Sequence, residues 1–296
     1  MKEIQFISNR RKFLILSALC ITITVIVLII NKGVNLGLDF TGGTLIQIRT
    51  TNKEMDIAML RKILATYGYT KGVELQNIFT GTNEVKEFLI RFKFQQKDTL
   101  AAEIENIFKN SNILCEILRV EYVGPTIGKH LTKRALYAII FSLIGIIIYV
   151  GLRFGSSIWG IMGVVALAHD VFLTIGFLTL LGKEITLTVI AALLTLAGYS
   201  INDTIVIFDR IRENIRIMRK ESLERIMNLS INQTLTRTLL TSGTTLAAVL
   251  ALYILGNQVI KDFALSLIFG VIIGTYSSIF VASSLVLEYN LTKGKK

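Results

Sequence analysis

The chain has 296 residues, 52% of them hydrophobic and only 18% charged, with a formal net charge of +11. That balance excludes an ordinary soluble domain and a disordered segment, and it marks an integral membrane protein. Two cysteines exclude a disulfide framework, and cations spread over several loops argue against a nucleic-acid surface.

In chain order, a polar start at 1–12 leads into 13–30, the first of six windows long and apolar enough to span a bilayer. The others are 135–152, 158–181, 185–208, 234–255 and 263–287. The first window is uncharged and no small-residue cleavage site follows it, so it is predicted to be a retained helix. Six spans put both ends and the segments 151–157 and 209–233 on one side. That side holds Arg10, Arg11, Lys12, Arg153, Arg210, Arg212, Arg216, Arg219 and Arg225, against Lys183 and Lys261 in the opposite short loops. The positive-inside rule predicts that both termini, 1–12 and 288–296, are cytoplasmic, and the same cations attract anionic membrane lipids.

Residues 31–134 alternate between polar and apolar in a readable order. Strand alternation at 43–50 is followed by helical spacing at 54–66, through Met55, Met59, Leu60 and Ile63. Strands are predicted at 72–80 and 85–94, around the turn residues Thr80, Gly81, Thr82 and Asn83. Asp98 opens a second helix with Leu100, Ile104, Ile107 and Phe108 on one face, and 113–123 is a last strand. The order β-α-β-β-α-β is that of a ferredoxin-like module. The predicted fold is thus an α-helical, six-span membrane protein with an α+β ferredoxin-like extracytoplasmic domain between its first two helices. These strands and helices contain no histidine and no metal-spaced cysteines, so no metal, cofactor or catalytic group is expected in them. Cys20 and Cys115 fall in different regions and should not bridge; Cys115 is read as a small buried hydrophobe, with a free thiol or an intermolecular partner as its other readings. Glycines punctuate both junctions, Gly37, Gly42 and Gly43 at entry and Gly124, Pro125 and Gly128 at exit, so a hinge is predicted there.

The five later spans, 135–287, are predicted to pack through small residues such as Gly270 and Gly274. The 209–233 loop, with Ile211, Ile215, Met218, Ile226 and Met227 among arginines, reads as an amphipathic cytoplasmic segment at the membrane surface. Docking to a cytoplasmic partner is its other reading.

Opposite full charges fall inside two of these spans, Asp203 in the fourth and Arg237 in the fifth. Each costs roughly 2.5 to 3.5 kcal/mol at membrane depth, so mutual pairing is expected, and such residues line ion, proton or substrate pathways. Both sit about one to two helical turns from the same boundary at about 1.5 Å per residue. Thr241, Thr244 and Thr245 share the Arg237 face and give α-helical spacing to a hydroxyl stripe that can reach Tyr199 and Ser200 or hold water. A carboxylate alternately paired with Arg237 and parted from it changes its proton affinity with conformation. A thousandfold change takes about 4 kcal/mol, and one charge crossing 100 mV yields about 2.3 kcal/mol, so a few protons suffice for a domain movement. A permanent salt bridge is the other reading. His169 and Asp170, in the middle of the third span, are a second polar pair, read either as a group titrating near neutral pH or as a fixed interhelical hydrogen bond.

The segment Gly37-Leu38-Asp39-Phe40-Thr41-Gly42-Gly43-Thr44 resembles the glycine motif of the SecD/SecF protein-export family, part of the resistance-nodulation-division superfamily. VGPTIGKHL (123–131), ALAHD (166–170), AGYSINDTIVIFDRIREN (197–214), QTLTRTLLTSGTT (233–245) and DFALSLIFGVIIGTYSSIFVAS (262–283) extend the resemblance over all six spans. It implies a bacterial inner-membrane accessory subunit that pairs with SecD and associates with the SecYEG channel, with YajC and YidC as further candidate partners. Such a subunit uses the proton-motive force to draw the exported polypeptide outward after the ATP-driven motor SecA has acted. The resemblance carries the proton relay onto Asp203, Arg237 and Thr241, and the family's loop aspartate onto Asp39, whose role is either to fix the glycine turn or to couple it. The alternative function is a proton-driven small-molecule or lipid exporter of the same superfamily, against which stand a single outer domain and only six spans. An intramembrane hydrolase built on His169, Asp170 and Asp203 lacks any GxGD, HExxH or GxSxG motif, so no enzyme activity is expected.

Overall fold

The computed structural model describes residues 3–70, 72–78, 85–93, 99–154 and 157–293. The chain divides into two compact units, Leu36–Arg134 and the remainder, Met1–Asn35 with Ala135–Lys296.

The smaller unit begins with a single helical turn, α2 (Leu38–Thr41), which follows the first membrane helix, α1 (Arg10–Ile30). Then come β1 (Gly43–Thr50), α3 (Ile57–Thr66), β2 (Val73–Ile78), β3 (Lys86–Phe92), α4 (Leu100–Asn110) and β4 (Cys115–Val123). The four strands form one sheet in the order β2-β3-β1-β4, each antiparallel to its neighbour. Each βαβ crossing therefore has a strand of the other inserted between its two strands. Period-two alternation dictates the core: Ile46 and Ile48 pair with Ile90 and Phe88 and pack, fully buried, with Leu60, Leu64, Ile104 and Phe108. Asp56 caps α3 by accepting the Met59 N–H at 2.6 Å, so that helix starts at Ile57, later than predicted, and Met59 lies exposed. The turn 80–83 and the Asp98 helix start lie outside the described residues.

The larger unit is a helical bundle of α1, α5 (Pro125–Phe154, from Ala135 onward), α6 (Ser157–Leu180), α7 (Leu187–Ile217), α8 (Leu223–Leu255) and a sixth span. That last span comprises α9 (Gln258–Tyr276), a π turn (Ser277–Ala282) and α10 (Ser283–Lys293). Among the described residues six helices are long and apolar enough to cross a membrane, and the chain is a multi-pass membrane protein. About half of the apolar window is buried in α6, α7 and the sixth span, against a small share in α1, α5 and α8. The first three form the centre, and the others present wide apolar faces outward. Glycines permit the central contacts: a methyl-sized group at Gly270 would meet Leu196, and one at Gly274 would meet Ser200 Cβ at 3.2 Å.

The predicted loop at 209–233 is corrected. α7 runs on to Ile217, α8 starts at Leu223, and only 218–222 turns between them. Polarity ends a membrane stay but not a helix; breaking one takes proline or strain, and the one proline of the chain is Pro125. The five apolar residues singled out in this region are packed against protein and not laid on a lipid surface. Ile211, Ile226 and Met227 are buried in a cluster with Phe6, Ile7 and Phe208, against which Ile215 and Met218 also pack. Phe208 is held edge-on by Trp159 and Phe154, at 5.0 and 5.8 Å between ring centres. Likewise, α5 starts at Pro125, ten residues before the predicted span, because proline suits the first helical position.

Candidate functional site

α7 and α8 bring the sequence-predicted charges together. On α7, Ser200, Asp203 and Thr204 are spaced by three and four residues and share the buried face, with Asp203 only 3% exposed. Arg237 acts on Asp203 through space, and Thr241 lies beside the carboxylate. The expected contact pair is not formed: Asp203 Oδ2 has no hydrogen-bond partner, and Arg237, one position before the buried Thr238, is exposed. Thr238 Oγ1 is a second buried atom without a partner, on the helix facing α7. An enclosed carboxylate oxygen with an open coordination and a cation at one remove is a site able to take and release a proton.

The hydroxyl stripe of α8 is less continuous than its spacing predicts. Thr241 donates to Arg237 O and Thr238 O at 3.1 and 2.9 Å, and Thr244 bonds its own helix in the same way. Ser242, one residue off the stripe, makes the crossing instead. It accepts from Tyr199 Oη at 2.9 Å and shares a 2.7 Å bond with Thr275, joining α7, α8 and α9.

His169 and Asp170 sit next to each other on α6, bonded Nδ1 to Oδ1 at 2.9 Å. Asp170 is fully enclosed and collects two further donors, Ser200 Oγ at 2.5 Å and Ser277 Oγ at 2.6 Å, both on Oδ2. One carboxylate thus ties α6 to α7 and to the start of the π turn. His169 Nε2 is buried without a partner. Sequence reasoning aimed Ser200 at α8 and missed Ser277; the signal was the serine pair 277–278 lying one turn beyond Gly274, where a missing side chain lets α7 approach.

The glycine-motif residues gather in the smaller unit. Gly37 O accepts from Thr41 Oγ1 at 3.2 Å and closes α2, where Asp39 is half-buried. Gly42 and Gly43 take φ of 68° and 120°, a region side chains disfavour. A Cβ on Gly43 would strike Phe92 O, and one on Gly42 would lie 3.2 Å from Val123 O. Gly124 and Pro125 link β4 to α5, and Gly128 backs onto Phe40 O. No cluster of three or more metal-ligating side chains occurs among the described residues. Cys20 and Cys115 are free thiols.

Comparison with known proteins follows the same map. The family model for the C-terminal part of the protein export membrane proteins SecD/SecF matches residues 103–292, and the SecD/SecF GG motif model matches 27–54. The protein translocase subunit SecF of Endomicrobium trichonymphae is 40% identical, covering 99% of this chain and 94% of that one. The subunit of the same name from Escherichia coli O157:H7 is 41% identical over 92% and 83%. The crystal structure of SecDF from Thermus thermophilus, a translocon-associated membrane protein, superposes with a TM-score of 0.88 at 37% identity. It covers 98% of this chain, which spans 39% of that longer one. A SecDF structure in a super-membrane-facing form gives 0.69 at 38% identity, covering 100% of this chain and 40% of that one.

Proposed function

Because the chain belongs to the SecD/SecF family of protein export membrane proteins, we propose that it is the SecF-type accessory subunit of the Sec translocase, a transport role without enzymatic chemistry. In this reading it pairs with SecD, associates with SecYEG, and draws on the proton-motive force to promote export of the polypeptide after the SecA step. A SecDF relative that carries both parts in one chain supports SecD as the partner. YajC and YidC are further candidate partners.

The placement is the bacterial inner membrane with both termini in the cytoplasm. It is supported by the company that the cations keep. Arg153 pairs with Asp209 at 2.6 Å and Arg10 with Glu224 and Glu288 at 2.9 and 2.8 Å, so the ends of α1, α5, α7, α8 and the sixth span meet at one arginine-rich edge. The sheet unit, read as a ferredoxin-like domain from its strand order, then faces the far side of the membrane. Its packed glycine turn, with Asp39, Gly42 and Gly43, is the segment that would transmit movement.

The observation that carries the proposal is the unsatisfied Asp203 Oδ2 in the bundle centre, with Arg237 near it yet exposed. Asp203 holds and passes the proton, Arg237 sets the cost of its charged form, and Thr241 lies in the path between them. An exposed guanidinium at membrane depth calls for acidic or polar cover, and the α7–α8 face bearing it is where SecD would dock.

The test is export of a secreted reporter, with and without an imposed proton gradient, from cells carrying Asp203→Asn at normal membrane levels. Loss of the gradient's acceleration supports the coupling role. A gradient response equal to the wild type would leave the Asp203 and Arg237 pair structural and sink the proposal.

A further inference from the structure

We infer that Asp170 is a positioning residue for Asp203: its carboxylate clamps the Ser200–Asp203 face of α7 to the π turn of the sixth span. The inference rests on the reading of Asp203 as the coupling group.

Asp170 is fully enclosed and its oxygens take bonds from three elements, His169 on α6, Ser200 on α7 and Ser277 at the head of the π turn. Bonds to a carboxylate are the strong kind, and in a water-free interior each lost partner leaves a group with nowhere else to turn. Ser200 lies three residues before Asp203 on one helix face, so whatever fixes Ser200 in rotation fixes Asp203 as well. The surroundings are shaped for this contact. A Cβ at Gly274 would come within 3.2 Å of Ser200 Cβ and 3.7 Å of Asp170 Oδ2, so only glycine at that place leaves the clamp undisturbed.

The third arm ends where the helix is least regular. A π turn gives up the i to i−4 ladder and is frequent at functional sites. Serines compensate here: Ser277 Oγ also lies 3.2 Å from Gly274 O, Ser278 donates to Thr275 O at 3.0 Å, and Ser283 donates to Ser278 O at 3.3 Å. Asp170 thus couples the one irregular turn of the central helices to the rotation of the helix that carries Asp203. Movement of the sixth span reaches Asp203 through this carboxylate.

Two measurements test the clamp. In membrane-reconstituted protein, Ser277→Ala removes one hydroxyl without a large cavity, and amide exchange in residues 277–283 should quicken about tenfold. Unchanged exchange overturns the clamp. In cells, export is followed against a graded proton gradient at equal membrane levels. Ser277→Ala and Asp170→Asn should each raise the gradient needed for half-maximal acceleration, and Ser277→Thr, which restores the hydroxyl, should return it. A uniform loss at every gradient would instead mark a merely structural role and refute the positioning claim. Asp203→Asn in the same assay separates the two ideas. If it keeps a normal gradient response, the functional reading fails on its own, while the exchange experiment still decides the clamp.

Discussion

Asn228 Oδ1 accepts the backbone N–H of Phe6 at 2.8 Å, across 222 residues of chain. One turn further along α8, Asn232 exchanges two bonds with the backbone of Ile4, at 3.0 and 2.9 Å. Two asparagines at i, i+4 thus pin the segment before α1 to α8, with Phe6 and Ile7 buried beneath. Asn228→Ala takes the acceptor from the buried Ile7 amide and leaves the Phe6 amide only its 3.2 Å bond to Ile4 O, and it should cost about 1–3 kcal/mol. Thermal unfolding in detergent checks the loss, and a cysteine placed at Gln5 should become faster to label with a maleimide.

Gly270 is predicted to be intolerant in proportion to size. Alanine meets the branched end of Leu196, its two methyls and Cγ, which a change of rotamer can move aside, whereas leucine must part α7 from α9. The cost should be small for Gly270→Ala and about 1–3 kcal/mol for Gly270→Leu, measured by denaturant unfolding in mixed micelles.

Gly43→Ala combines a φ of 120° with a collision against Phe92 O in the neighbouring strand. Strain of this kind costs about 1–3 kcal/mol, and it falls on the β1–β3 ladder. Limited proteolysis should cut the sheet unit of this variant well before that of the parent, with Gly42→Ala between the two.

Burial, with Glu105 and Glu116 adding to it, pushes the Cys115 thiol up to about 12 from 9.0. At pH 8 the thiolate fraction is then on the order of one in ten thousand, about a thousandfold below an unperturbed thiol, and labelling should be slower by a similar factor. A group that loses its proton less readily when folded favours the fold fully below pH 9.0. That contribution is lost as pH climbs from 9.0 toward about 12. A pH series of unfolding midpoints, compared with Cys115→Ala, reads it directly.

Much of this was legible in the sequence because single rules governed it. Alternation alone placed β1 at 43–50, where the structure has it, since a half-buried strand admits no other period. Hydropathy found the six spans but not their helix ends, because Asp209 to Ile217 change the polarity of α7 without altering its backbone preference. Spacing put Asp203 and Arg237 at a similar depth, with Thr241 one turn along the Arg237 face. It did not foresee that Thr241 would bond its own helix or that Arg237 would lie exposed, since periodicity says which residues share a face and not what covers it. Nor does a pattern along one helix reveal a carboxylate shared by three, as at Asp170.

The wide turn at Ser277–Ala282 also sets the phase of everything after it. A π turn takes up one residue more than an α-helix would, and a residue is worth about 100° of rotation. With the turn in place, Glu288 meets Arg10 at 2.8 Å while Leu287 is fully buried beside it. Were the segment to wind into plain α-helix, Leu287 would swing to the arginine and Glu288 would rotate past it. The extra residue is a vernier between the two halves of the sixth span. One deletion inside 277–282, which trades the wide turn for a regular one, preserves the Arg10 contact, whereas the same deletion a turn later, inside α10, destroys it.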